Sequence, residues 1–136
     1  MSDRYLLDAD TVSYALRGMA GVSKRLLEHA PERIAISSLT LAELHFGAER
    51  RASKKLRKLL DSFCVGVTVV PFDSEAARRY GEIGALLAEA GSPIGQMDTL
   101  IAAHALALDR VLVSNNTKHF SKVRGLRLEN WVALAT

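Results

Sequence analysis

The chain alternates short apolar, β-branched runs with stretches in which apolar residues recur on one helical face. This is the pattern of an α/β domain around a largely parallel sheet. Arg4 to Leu7 reads as the first strand, and Asp10 is the predicted N-cap of a helix running through Arg17. A second helix covers Val22 to His29, with Gly18 and Gly21 as punctuation. Arg33 to Ser37 is the next strand. Thr40 to Glu49 and Ser53 to Phe63 follow as helices, the latter placing Leu56, Leu60 and Phe63 on one face, and the two are expected to form a hairpin.

Val67 to Pro71 is β-branched and predicts a strand. From an Asp73 cap, a helix extends to Ala90, repeating Ala76, Tyr80, Ile83 and Leu87 until Gly91 stops it. Gly91 to Gln96 is a loop, Met97 to Leu108 a helix, and Val111 to Ser114 a strand. A short turn or helix near Asn115 to Phe120 leads to a last strand around Leu126 to Trp131. There is no internal repeat or low-complexity tract. A chain of 136 residues with this pattern is expected to be one domain, a central sheet of about five strands flanked by helices.

Composition narrows the class. With 49% hydrophobic and 24% charged residues the chain is expected to fold as a soluble protein rather than remain disordered. Asp3, Arg4, Asp8 and Asp10 occupy the positions where a signal peptide needs an apolar core, and no apolar run approaches the roughly 18 residues that span a bilayer. The expected location is therefore cytoplasmic, with no membrane partner. Cys64 is the single cysteine, so it has no internal disulfide partner; between Phe63 and Val65 it reads as a buried small hydrophobe. The net charge of +3 is compatible with a polyanionic partner without requiring one.

The positions of four polar residues carry more. Open α/β sheets bind ligands beyond the carboxyl ends of their parallel strands. Asp8 directly follows the first strand, Glu43 falls in the first turn of the helix after the second, and Asn116 lies just beyond Ser114. Asp98, near the start of a helix, reaches the same edge if the preceding loop returns there. Carboxylates gathered in one place repel one another and lose hydration, so three of them call for a cation. Their hard oxygens suit Mg²⁺ or Mn²⁺, and such an ion can activate water for attack on phosphorus. Each residue also has a purely structural reading: Glu43 as the closing member of a Thr40-x-x-Glu43 capping box, Asp98 as an acid favoured by the helix dipole, and Asp8 and Asn116 as turn residues.

Taken together, four segments in order resemble the PIN-domain nucleases, and specifically their VapC toxin branch. They are Tyr5-Leu-Leu-Asp8-Ala-Asp10-Thr-Val, Ile36-Ser-Ser-Leu-Thr-Leu-Ala-Glu43-Leu-His-Phe-Gly47, Pro93-Ile-Gly-Gln-Met-Asp98-Thr-Leu-Ile-Ala-Ala-His104 and Leu112-Val-Ser-Asn-Asn116-Thr-Lys-His-Phe120. The resemblance implies a PIN-like fold over residues 1–136. It further implies metal-site acids Asp8, Glu43 and Asp98, a catalytic contribution from Asn116, and Mg²⁺- or Mn²⁺-dependent endoribonuclease activity. A VapB-like antitoxin would restrain that activity; members of the branch are often homodimers and often cut tRNA. Two positions depart from the branch. Asp10 stands where Asn is common, and Asn116 and His119 occupy the region where related chains often carry Glu or Asp.

Arg50, Arg51, Lys54, Lys55, Arg57 and Lys58 form one basic cluster, read as a solvated helical face or as a contact for RNA or antitoxin. Lys118, Lys122, Arg124 and Arg127 lie nearer Asn116 in sequence and are better placed for a substrate backbone. His45 and His104 read as structural histidines, and Trp131 as packing for the last strand. Two other functions fit parts of the chain. Asp8-Ala-Asp10 also resembles the phosphorylation motif of haloacid-dehalogenase-like phosphatases, with Asp8 as nucleophile and Asp10 as acid/base, although Glu43 and Asp98 then go unexplained. A noncatalytic RNA- or protein-binding PIN-like module is the other.

Overall fold

The computed structural model describes residues 3–132. Five strands, β1 (Tyr5–Leu7), β2 (Ile34–Ser37), β3 (Thr68–Val70), β4 (Val111–Val113) and β5 (Leu128–Glu129), make one sheet in the order β3-β2-β1-β4-β5. Every adjacent pair is parallel, with Tyr5 opposite both Ile34 and Val111. The helices are α1 (Ala9–Leu16), α2 (Ala20–Leu27), α3 (Ser38–Arg50), α4 (Lys54–Val65), α5 (Ser74–Glu89), α6 (Gln96–Leu108) and α7 (Thr117–Phe120).

The central strands are buried on both faces, which is why they read as continuous apolar runs. Alternation divides them between two cores. Leu6, Ala35 and Leu112 pack with Ile83, Leu87, Ile101 and Phe120 from α5, α6 and α7. Tyr5, Leu7, Ile34, Ile36, Val111 and Val113 face the other way, against Val12, Val22 and Trp131. Trp131 is fully buried, stacked on His29 and edge-on to Tyr5, and its indole N–H donates to Glu129 at 2.9 Å. Its packing role is as expected, although β5 itself is shorter than the predicted strand.

Four local expectations are corrected. Asp8, rather than Asp10, caps α1: its backbone is extended and its Oδ1 accepts from Thr11 N at 2.9 Å. Asp10 lies one turn-position inside the helix, where the dipole favours an acid. The helix after β2 begins at Ser38 because Ser37 Oγ accepts from Leu39 N at 3.1 Å. Thr40 is therefore inside the helix, buried, with its Oγ1 lacking a hydrogen-bond partner among the described residues. No Thr40–Glu43 capping box forms, and Glu43 sits in the second turn. Cys64 is half-buried rather than enclosed, since it lies in the last turn of α4 beside exposed Val65. His45 is exposed and so is not a packed histidine. Among the described residues no helix is long and apolar enough to cross a membrane.

Candidate active site

Parallel strands all present their carboxyl ends at one edge, and the residues singled out above lie there. Asp8 continues β1: its N–H donates to Val113 O at 3.0 Å, and Thr11 Oγ1 donates to the same carbonyl at 3.1 Å. The chain is thus pinned to β4 on both sides of the acid. Asp8 is only 8% exposed. Burial pushes its carboxyl up to about 6, against the opposing hydrogen bonds from Ser114 and Thr11 and with a further upward push from Asp10.

Asp98 reaches this edge because the α5–α6 hairpin folds back. Gly91 (φ +66°) and Gly95 (φ +94°) make the return, and Gly95 immediately precedes α6, whose first turn holds Asp98. Asp98 Oδ2 lies 3.2 Å from Asn116 Nδ2 and 3.3 Å from His119 Nδ1, while Asn116 Nδ2 and His119 Nδ1 are 3.0 Å apart. Asn116 is the N-cap of α7, yet its side chain makes no cap bond and turns to Asp98 instead. Its own N–H donates to Ser114 Oγ at 2.9 Å.

Glu43 projects from α3. Its carboxyl is raised first by partial burial and then by the charges of Asp98, Asp8 and Asp10, in that order. Four acids from three segments therefore share one electrostatic neighbourhood. They remain spread out: among the described residues, no three His, Cys, Asp or Glu side chains stand close enough to hold one ion between them. A groove of about 370 Å³ between α1, α3 and α4 leads away from Asp10 and Glu43, past Leu44 and Leu56, to Arg17 and Arg51.

The basic residues divide. Arg57 pairs with Glu49 at 3.0 Å, while Arg50, Arg51, Lys54, Lys55 and Lys58 are exposed. Arg127, immediately before β5, pairs with Asp3 ahead of β1 and with Asp109 ahead of β4, which puts it at the amino edge of the sheet and away from the acids. Lys118 follows Asn116 in α7, and Lys122 and Arg124 flank an apolar hollow against Ile83 and Leu87.

Sequence reasoning had no role for the buried hydroxyls of Thr11, Ser37 and Ser114. Thr11 is legible afterwards as the third residue past a cap, since Asp-x-x-Thr follows a strand. Ser37 bonds His104 Nδ1 at 2.9 Å, tying β2 to α6. That makes His104, 1% exposed and with its imidazole pKa pushed down by burial, a structural histidine as expected.

The PIN domain family model matches residues 5–126. The tRNA(fMet)-specific endonuclease VapC of Salmonella typhimurium is 33% identical over 129 residues, covering 94% of this chain and 98% of the relative. Ribonuclease VapC2 of Rickettsia felis is 36% identical over 130 residues, covering 93% and 97%. Among solved structures, VapBC2 from Rickettsia felis bound to a promoter DNA fragment superposes with a TM-score of 0.86 at 35% identity, covering 93% of this chain and 98% of that one. DNA-bound VapBC from Salmonella typhimurium gives 0.86 at 33%, covering 96% and 99%. A phosphatase with Asp8 as an open nucleophile fits neither these matches nor the capped, buried state of that residue. The carboxyl-edge acids, the parallel sheet and near full-length similarity agree: the chain belongs to the PIN-domain family, in its VapC branch.

Proposed function

We propose that this chain is a divalent-metal-dependent endoribonuclease and the toxin of a VapBC-type pair, neutralised by a VapB-like antitoxin. The observation that carries the reading is the neighbourhood of Asp8, Asp10, Glu43 and Asp98, in which burial and then the charges of Asp98, Asp8 and Asp10 push the Glu43 carboxyl up, and burial with a smaller push from Asp10 does the same to Asp8. Hard carboxylate oxygens in mutual repulsion are a donor set that fits Mg²⁺ or Mn²⁺. Among the described residues no three of the acids converge on one point, so they would hold such an ion partly through water or after a side-chain turn. When bound, such a cation acidifies water and stabilises charge on a scissile phosphate.

The protein's own groups supply the frame. Asp8 is held by Thr11 N on its Oδ1 and by a hydrogen bond from Ser114, while the Thr11 hydroxyl ties the same turn to Val113 O, so its carboxylate is fixed in orientation. Asp98 is set by the Gly95 turn, and Asn116 is aimed at it by the Ser114 hydroxyl under its N–H. Glu43, on an exposed helical face, is free to approach a water at the acids. The substrate is RNA, and since the Salmonella relative is named for tRNA(fMet), tRNA is the first class to test; the reading places the protein in the cytoplasm, as a homodimer. The antitoxin inhibits by laying a segment in the groove between α1, α3 and α4, with an Arg directed at Asp10 and Glu43. A toxin–antitoxin complex with that groove open and cleavage unchanged removes the inhibitory mechanism.

The test is incubation of purified protein and Asp98→Asn with a tRNA pool and structured RNA, with Mg²⁺ or Mn²⁺ and with EDTA. Discrete fragments are expected from the unmodified chain with metal, and a loss on the order of 100-fold in the variant. RNA retained without product identifies a binding module, and equal cleavage by the variant withdraws the assignment of the acids.

A further inference from the structure

Asp98 Oδ2, Asn116 Nδ2 and His119 Nδ1 stand 3.2, 3.0 and 3.3 Å apart, a nearly equilateral triangle. Hydrogen bonding satisfies this arrangement poorly. Seen from the amide nitrogen, the other two atoms are separated by about 60°, half the roughly 120° between the two amide hydrogens, so one NH₂ group cannot point well at both. If Asn116 donates to the imidazole, then His119 Nδ1 is an acceptor facing the carboxylate acceptor of Asp98 at 3.3 Å, and their lone pairs oppose each other.

The same triangle has the dimensions of one face of a coordination octahedron. An ion with metal–ligand bonds of about 2.1 Å spaces its neighbouring ligands about 3.0 Å apart. Half a turn of the Asn116 amide, which exchanges two atoms of nearly equal size, puts Oδ1 at the third corner. All three corners then carry a lone pair that a cation can accept. Asn116, the N-cap of α7, and His119 within it are three apart with their side chains in contact, and Asn116 withholds its side chain from the cap it would ordinarily make. With side chains 32% and 46% exposed, Asp98 and His119 leave the opposite face to water.

We propose that Asp98, Asn116 and His119 form a three-ligand site for a first-row transition-metal dication, and that the His119 imidazole makes this chain prefer Mn²⁺ to Mg²⁺. An imidazole nitrogen adds little to the affinity of a hard ion such as Mg²⁺ and more to that of the transition dications. This departs from an all-oxygen site and uses two positions where acids are common in the branch. It deepens the metal-dependent reading above, and it stands or falls on binding rather than on cleavage.

The experiment is Mn²⁺ titration of the purified full chain followed by pulsed electron paramagnetic resonance, beside calorimetric titrations with Mn²⁺ and Mg²⁺ and the same measurements on His119→Ala. The expected results are a ¹⁴N coupling from a directly bound imidazole and Mn²⁺ affinity about tenfold or more above that for Mg²⁺. His119→Ala should abolish the coupling and weaken Mn²⁺ about tenfold while leaving Mg²⁺ within about twofold. Absence of Mn²⁺ binding, binding without ¹⁴N coupling, or an unchanged Mn²⁺ affinity in the variant overturns the proposal. Cleavage of RNA without the nitrogen coupling leaves the nuclease reading intact and removes this one; coupling without cleavage does the reverse.

Discussion

Asp8 shows how one residue serves fold and site at once. As a cap it accepts from Thr11 N; as a buried acid its carboxyl is pushed up to about 6. A carboxyl whose folded value lies above its ordinary one near 4 binds more protons folded than unfolded between those values. Its protonated form contributes stability fully below about pH 4, and that contribution is lost as pH rises through about 6. Asn at position 8 retains a cap acceptor and never ionises. Asp8→Asn is therefore expected to be more stable than the unmodified chain at pH 7 in EDTA, by about 1–3 kcal/mol, with the advantage fading towards pH 4. Urea unfolding at the two pH values measures it, and a variant less stable at pH 7 refutes the burial argument. The residue's importance was legible from a strand ending in an acid. Its capping role was not, because Asp8 and Asp10 are both good caps and only the register of α1 against β4 selects between them.

Among the elements, the α5–α6 hairpin decides whether Asp98 belongs to the site. The two helices were readable from their apolar periodicity and from Gly91. The return of the loop was not, since it depends on backbone angles at two glycines. Gly95 has φ +94° and ψ 154°, a region essentially closed to other residues, while a Cβ there meets nothing within 4 Å. Gly95→Ala consequently strains the backbone without a steric clash, at about 1–3 kcal/mol. Chemical unfolding should show that loss, and relaxation of the turn should displace the Asp98 end of α6 and reduce cleavage. A variant with full stability and full activity would show that the turn does not position Asp98. At α3 the sequence misled in the opposite direction. Thr40-x-x-Glu43 has capping-box spacing, but Ser37 Oγ reaches Leu39 N first, the helix starts at Ser38, and Glu43 is released to face the other acids.

At the scale of the molecule, a fully parallel sheet sends β1, β2 and β4 to one edge and gathers charges that are far apart in the chain. Gathering them has a thermodynamic consequence: a cation that relieves their repulsion binds the folded state preferentially. Saturating Mn²⁺, at about 100 times its dissociation constant, is expected to stabilise the chain by about 2.7 kcal/mol and raise its melting temperature by roughly 5 °C or more. EDTA should reverse the shift, and the shift should shrink at pH 5, where Asp8 takes up a proton. A melting temperature indifferent to Mn²⁺ at pH 7 would remove the cation from the account of this edge. Arg127 marks the limit of what proximity in sequence conveys. It is near Asn116 along the chain, yet α7 and the segment after it carry the chain back to the amino edge ahead of β5, where Arg127 pairs with Asp3 and Asp109.

By itself the sequence determined the alternation of strands and helices, the apolar faces they bury, and the four segments, three of them bearing acids, that mark the family. Those are properties of local periodicity and residue chemistry, which neighbouring positions suffice to express. Tertiary structure alone decided which acid caps α1, that Glu43 is free of its helix end, that Arg127 leaves the site, and that Asp98, Asn116 and His119 close into a triangle. Each of these depends on strand register or on the path of a turn between elements. The physical reason is that hydrogen-bond competition and burial are settled by groups brought together across the sheet, whose separation in the chain conceals their contact.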